Sequence, residues 1–191
     1  QLLASIVVFE SARTNLEYAN PLYEAGVSAP NVVESFFDGE EQTKGVEIDL
    51  NAYLNDQWKV NINGVYQDAR DKTNPNSTSF DTRQKGVPYV TASSWVTYSA
   101  ALFELPHAVD LSAGLTFVDK RSTNSSSFGI DNGYVPAYTV YDAAVSYKAD
   151  NWQMQLNINN LFNKKYYSKA MFLGGMPGEE RNAKLSFSYT L

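Results

Sequence analysis

The sequence contains no cysteine, which excludes a disulfide-stapled scaffold and a thiolate zinc site. Basic residues are outnumbered, with 15 Lys and Arg against 21 Asp and Glu. The resulting net charge of -6 argues against a general nucleic-acid binder. Long apolar runs are also missing. None approaches the roughly 18 residues of a membrane helix, so a helical membrane protein is excluded. No glycine-rich phosphate loop follows a strand and no serine sits in a nucleophile elbow, so no catalytic set and no resident cofactor or metal is expected. The single histidine, His107, follows Pro106 in a short stretch and reads as a turn residue. What the chain has in quantity is aromatic residues: 13 Tyr, 10 Phe and 3 Trp in 191 positions, too many for a disordered segment.

The dominant pattern has period two. In the segment 152–159, Trp152, Met154, Leu156 and Ile158 alternate with Gln153, Gln155, Asn157 and Asn159. A helix would scatter these residues around its surface, whereas a strand sorts them onto two faces. The same alternation places Val46, Ile48, Leu50, Ala52 and Leu54 on one face. It does so again for Trp58, Val60, Ile62, Gly64 and Tyr66, and for Val109, Leu111, Ala113, Leu115 and Phe117. Tyr141, Ala143, Val145 and Tyr147 form another such set, as do Ala183, Leu185, Phe187, Tyr189 and Leu191. Val90 to Tyr98 is a weaker case, and Leu2 to Arg13 is extended with ambiguous facing. About eight strands and no convincing helix are predicted.

Connection lengths alternate as well. Asn55-Asp56-Gln57 and Ala149-Asp150-Asn151 are tight turns, and residues 101–108 make a modest link. The connections at 14 to about 40, 70–86, 120–136 and 163–181 are long and rich in Pro, Gly and Asn breakers. Short turns at one end and long loops at the other describe an antiparallel up-and-down sheet, the layout of outer-membrane barrels. A soluble β-sandwich or propeller piece also alternates, so period two alone leaves both open. Three features favour the membrane. The strands run about 10 to 13 residues, near the length a tilted membrane strand needs. One face is strongly polar, and aromatics cluster near strand ends, where interfacial girdles lie. The carboxylates Glu47, Asp49, Asp110 and Asp142 fall on the polar face, where hydration of a lumen or pairing with Lys59, Lys148 and Lys184 is expected.

Particular stretches then resemble one family, the TonB-dependent outer-membrane receptors, in their siderophore-receptor branch. Asn157 to Tyr166, reading N-I-N-N-L-F-N-K-K-Y, is similar to the family block on the penultimate strand, and carries Asn159, Asn160, Leu161, Phe162 and Tyr166. Gly175 to Arg181, with Gly178 and Arg181, resembles the G-x-P-x-x-R run that opens the final strand. Thr43-Lys44-Gly45-Val46-Glu47, Tyr66 to Ala69 and Pro136 to Ala143 match further family stretches in order. The family usually closes on Phe or Trp, where this sequence has Leu191.

The resemblance implies an all-β antiparallel transmembrane barrel of 22 strands. Residues 1–191 would supply the last eight as a C-terminal segment, without plug or signal peptide, so that the start at Gln1 reads as a cut through a larger barrel. It also implies uptake of ferric siderophores across the outer membrane of a Gram-negative bacterium. The partners would be outer-membrane lipid, the ferric siderophore, the TonB complex acting through the plug, and the barrel-assembly machinery. The alternative is a small eight-stranded structural or adhesion barrel. On the long-loop side, Phe80, Phe128, Tyr134, Met171 and Phe172 are expected to pack against a siderophore scaffold. Arg70, Arg83, Lys85 and Arg121 are expected to attract an anionic ferric complex.

Overall fold

The structure, a computed structural model, describes residues 1–20, 22–29, 31–74, 80–102, 105–123, 133–171 and 174–190. Eight strands form one antiparallel sheet in which each pairs with the next long strand along the chain. They are β1 (Leu2–Ala19), β2 (Ser35–Tyr53), β3 (Trp58–Asp71), β4 (Val90–Ala100), β5 (Val109–Val118), β8 (Tyr138–Lys148), β9 (Trp152–Asn159) and β12 (Asn182–Tyr189). Two small hairpins sit inside the long connections: β6 (Arg121–Ser122) with β7 (Tyr134–Val135), and β10 (Tyr167–Met171) with β11 (Gly174–Pro177).

The register explains why the sequence alternates. Ile6 pairs with Ile48, Val46 with Tyr66, Trp58 with Tyr98, Tyr98 with Leu111, Leu111 with Val145, Val145 with Leu156, and Leu156 with Leu185. Directly paired residues share a face, so all eight apolar sets lie on one side of the sheet. The pairing also settles β1. Leu2, Ala4, Ile6 and Val8 join the apolar face, while Leu3, Val7 and Phe9 join the polar one, where the Phe9 ring lies across Gly45. A side chain at Gly45 would meet that ring at 2.5 Å, so this crossing requires glycine.

The first connection is shorter than expected, because β1 and β2 extend to Ala19 and from Ser35 into the region read as loop. At about 3.3 Å per residue, β1 is roughly 60 Å long, well beyond the ~25 Å apolar band of a barrel wall even when tilted. Pairing of β2 with β3 stops at Glu41 and Asp71, so the tip of the β1/β2 hairpin stands above its neighbours.

The apolar face is uncovered. Val8 is 78% exposed, and Ile6, Ile48, Val145, Leu156, Leu185 and Phe187 are all exposed. Of the described apolar side chains only Ala52, Ala69, Ala100, Val109, Val135, Val140 and Ala144 are buried, four of them alanines. A soluble sandwich buries one face of each sheet, whereas an uncovered apolar sheet face of this extent belongs against lipid. Aromatics mark both margins of the face. At the short-turn end Trp58 packs on Tyr98 at 4.7 Å, Tyr147 on Trp152 at 5.2 Å, and Trp152 on Phe187 at 6.1 Å. At the long-loop end Tyr66 stacks on Tyr89 at 6.2 Å and Tyr141 meets Phe162 edge-on at 5.4 Å. Trp58 and Tyr66 lie eight positions apart on one strand, or about 26 Å, close to the height of a barrel's apolar band.

The turns at the short end are held by side-chain capping. Asn55 Oδ1 accepts from the backbone N–H groups of Gln57 and Trp58, both at 2.9 Å. His107 sits in a bend there, 3.5 Å from Asp150 and edge-on to Tyr147. On the polar face, of the two expected arrangements, exposure and neutral contacts are found rather than ion pairs, and Glu47 and Asp49 are exposed. Asp110 accepts from Ser99 Oγ at 2.6 Å, and Asp142 accepts from the Asn160 backbone N–H at 2.8 Å. Lys59, Lys148 and Lys184 stand opposite Tyr53, Gln153 and Asn157, and among the described residues none of them pairs with a carboxylate. The register is the reason, since it sets lysine against neutral side chains and places Asn63 opposite Asp49.

Candidate functional site at the long-loop rim

Asn160 ends β9 in a left-handed conformation, with φ of +48°, which asparagine tolerates better than most residues. It is 4% exposed and makes a closed set of hydrogen bonds. Its Nδ2 donates to the carbonyls of Lys164 and Glu179, both at 2.9 Å, and its Oδ1 accepts from Lys164 N–H at 2.8 Å. Its own backbone N–H is held by Asp142 on β8. Asn163, also left-handed at +51°, accepts from the Arg181 N–H at 2.9 Å. These two asparagines tie β8, the exit of β9 and the entrance of β12 into one knot. Asn159 extends it by donating to Asn182 Oδ1 at 2.9 Å.

Above the knot the Tyr166 ring lies flat on Gly178. A Cβ at position 178 would sit 2.1 to 2.4 Å from three atoms of that ring, so no other residue fits there. Tyr166 also packs against Tyr138 with centroids 4.3 Å apart. Burial raises the Tyr166 phenol above its ordinary value, helped by the neighbouring Tyr138. Around these rings opens a cavity of about 440 Å³ lined by Pro136, Tyr138, Lys165, Tyr166, Tyr167 and Pro177, among others. Aromatic faces and two lysines, Lys164 and Lys165, in one hollow suit a flat, anionic or metal-bearing ligand.

The sequence-derived candidates divide into separate places. Arg121 is 4% exposed. Its Nη2 donates to the Tyr167 carbonyl at 2.9 Å and its guanidinium stands 5.7 Å from the Tyr138 ring. It thus joins the β6/β7 hairpin to the β10/β11 hairpin from inside the protein. Tyr134, half exposed on β7, lies 5.7 Å from Lys120. In the β3–β4 connection, Arg83 stacks on Tyr89 with 3.0 Å to the ring centroid and donates to the Val87 carbonyl at 2.8 Å. Phe80 lies beneath Lys72 at 5.3 Å. Arg70 pairs with Asp68 at 2.9 Å, and Lys72 pairs with Asp81, holding that carboxyl below its usual range. Lys85 lines a hollow with Arg13, Glu41 and Asp71. Phe128, Phe172 and the side chain of Met171 lie outside the described residues.

The cavity around Tyr138 and Tyr166 brings together residues that sequence reading had assigned to the family motif or left aside. Lys165 lies inside that motif block without being singled out as a site residue, and Tyr167 directly follows it. The connections also touch one another, since the Gly86 N–H donates to the Ser122 carbonyl at 2.7 Å.

A sequence model described as "TonB dependent receptor-like, beta-barrel" matches residues 1–161. The chain is 30% identical over 143 residues to a probable TonB-dependent siderophore receptor, PiuA, of Acinetobacter baumannii, covering 69% of this chain and 18% of that protein. It is 29% identical over 152 residues to the metal-pseudopaline receptor CntO of Pseudomonas aeruginosa, covering 78% of this chain and 21% of that one. Among solved structures, the ferric preacinetobactin receptor BauA of A. baumannii superposes with a TM-score of 0.78 at 20% identity, over 98% of this chain and 27% of BauA. The ferripyoverdine receptor of P. aeruginosa superposes with a TM-score of 0.75 at 20% identity, over 98% of this chain and 25% of that receptor. The chain therefore spans about a fifth to a quarter of the length of these relatives. With an unbroken antiparallel meander, an uncovered apolar face and a family match over well more than half its length, the chain belongs to the TonB-dependent receptor β-barrel family of the Gram-negative outer membrane.

Proposed function

We propose that residues 1–191 form the C-terminal wall of a 22-stranded outer-membrane receptor that takes up ferric siderophores. The plug and the TonB complex that drives it would be contributed outside these residues, and the barrel-assembly machinery would insert the whole. The work is binding and gated passage, with no covalent chemistry. The observation that carries the reading is the pair of unpaired sheet edges. Among the described residues β1 and β12 each have one hydrogen-bonding edge free, and an open edge is not tolerated in hydrocarbon. Pairing the two with each other, as a small eight-stranded barrel requires, would join 18 residues to 8 and leave more than half of β1 unsatisfied. Further strands between them resolve this. The names of the relatives, among them a ferrioxamine B receptor of Salmonella typhimurium, support a ferric siderophore as the cargo.

Within this reading, Tyr138, Lys165 and Tyr166 contact the siderophore, alongside Phe80, Arg83 and Tyr134 and the candidates read from sequence, Phe128, Met171 and Phe172. Arg121 holds the two loop hairpins together beneath it. The test is uptake of radiolabelled ferric siderophores by cells whose only receptor is the full-length protein. Deleting 163–181 is expected to abolish uptake of at least one siderophore while the barrel still assembles. Unchanged uptake of every siderophore tested contradicts the assignment of that loop. A chain of 191 residues that alone forms a heat-modifiable barrel in detergent contradicts the larger-barrel reading.

A further inference from the structure

A second hollow, of about 490 Å³, adjoins the first and shares Ala137, Tyr138 and Lys164 with it. Its outward part is lined from the apolar face: Phe117 and Thr139 are paired across β5 and β8, Tyr141 follows on β8, and Phe162 leans on Tyr141. Lys164 forms its edge on the long-loop side. Phe162 is 71% exposed, yet it is not a loose side chain. The turn that presents it is closed by the Asn163 N–H to the Asn160 carbonyl at 2.8 Å, and Lys164 is held at both its N–H and its carbonyl by the Asn160 side chain. The backbone that presents the ring and the lysine is therefore fixed, with the ring left exposed, an arrangement that lowers the ordering cost of binding. The Lys164 ammonium has no carboxylate partner among the described residues.

We propose that this hollow is a binding site for a phosphate-bearing acylated glycolipid of the outer leaflet. An acyl chain lies along Phe117, Tyr141 and Phe162, and a phosphate sits on Lys164. The proposal rests on the outer-membrane reading above. The hollow is continuous with the lipid-facing surface and lies at its long-loop margin, where the headgroups of the outer leaflet are. An acyl chain matches the aromatic floor, and an anion at headgroup height matches an unpaired lysine. A soluble protein partner would have to enter the bilayer to reach Phe117.

The test is native mass spectrometry of the full-length receptor purified from outer membranes in mild detergent, counting retained phosphorylated glycolipid. The wild type is expected to keep one molecule through delipidation, while Phe162→Gln and Lys164→Glu each reduce retention at least ~5-fold. Lys44→Glu, which alters an outward lysine at the same margin on β2, is expected to stay within ~2-fold of wild type. Returning the delipidated receptor to nanodiscs with a purified phosphorylated acyl disaccharide should restore one bound molecule, and the dephosphorylated form should not. Equal retention by wild type and both groove variants overturns the proposal, as does equal loss in Lys44→Glu, which would mean general rim electrostatics. Equal binding of the two disaccharides overturns the phosphate contact. If the outer-membrane reading itself fails, the wild type carries no glycolipid and siderophore uptake is absent. If only the groove is wrong, uptake persists.

Discussion

Two stretches of the long-loop end are built in opposite ways. The tall β1/β2 hairpin holds itself by its strand ladder, and its side chains are largely free: Leu22, Val27, Val33 and Phe37 are exposed. Between Thr14 and Thr43 it carries six carboxylates and no Lys or Arg, equal to the net charge of the entire chain, so the rest is electrically balanced. Arg13 and Lys44 bracket it, paired with Glu41 and Glu10 at 3.0 and 3.3 Å. The β9–β12 connection is cationic and is stitched by Asn160, Asn163, Gly178 and Arg121 rather than by a long ladder. An acidic, apolar surface that costs little to rearrange thus stands at one end of the sheet. A rigid basic corner with formed hollows stands at the other. The difference teaches where change will be felt. In the corner, side chains bind several strands together, whereas at the hairpin tip the backbone bonds of the Asn20 and Ser28 side chains stay within the hairpin itself.

Breaking the corner should have the largest effect. Asn160→Ala removes three buried side-chain hydrogen bonds and leaves a residue less suited to φ of +48°. It should cost about 2–4 kcal/mol in thermal unfolding of the full barrel. Gly178→Ala forces Tyr166 off its seat and should cost about 1–3 kcal/mol, with a fall in siderophore affinity measured by fluorescence quenching. Arg121→Met keeps the volume but loses the bond to Tyr167, and should raise the rate of proteolysis within 163–181 several-fold while the strands stay protected. At the other end, Glu17→Gln with Glu24→Gln should change stability by less than about 0.5 kcal/mol, because these carboxylates have no ion-pair partner among the described residues. A large loss there would erase the contrast.

Much of the sheet was legible because its signal is redundant. Seven strands announce their faces by alternation alone, and the short turns announce themselves by Asn55 and by Ala149-Asp150-Asn151. The facing of β1 was not legible, since Leu2, Leu3, Val7 and Val8 are apolar at both parities, and only pairing with β2 decides it. The height of the first hairpin was hidden for a related reason. Residues 14–19 and 35–40 lie above the apolar band, where nothing enforces alternation. At the rim, composition pointed to aromatic and basic residues in general but not to which ones meet. Arg121 reads as a surface cation in sequence and is buried by a carbonyl 46 positions away. Asn160 was legible as family motif, while its physical work, pinning a left-handed turn, appears only with its four hydrogen bonds to Asp142, Lys164 and Glu179 in place.

These 191 residues hold no cysteine, so in a full-length receptor with any other cysteine replaced by serine the central claim is directly measurable. Single cysteines placed along β9 at residues 153 to 158 in the full-length receptor, in native outer membranes, can be probed with a lipid-soluble and a water-soluble thiol reagent. Cysteine in place of Met154, Leu156 or Ile158 should react from the lipid, and in place of Gln153, Gln155 or Asn157 from water, in strict alternation. Reaction of both sets with the same reagent would contradict a barrel wall with lipid on one face and a hydrated lumen on the other.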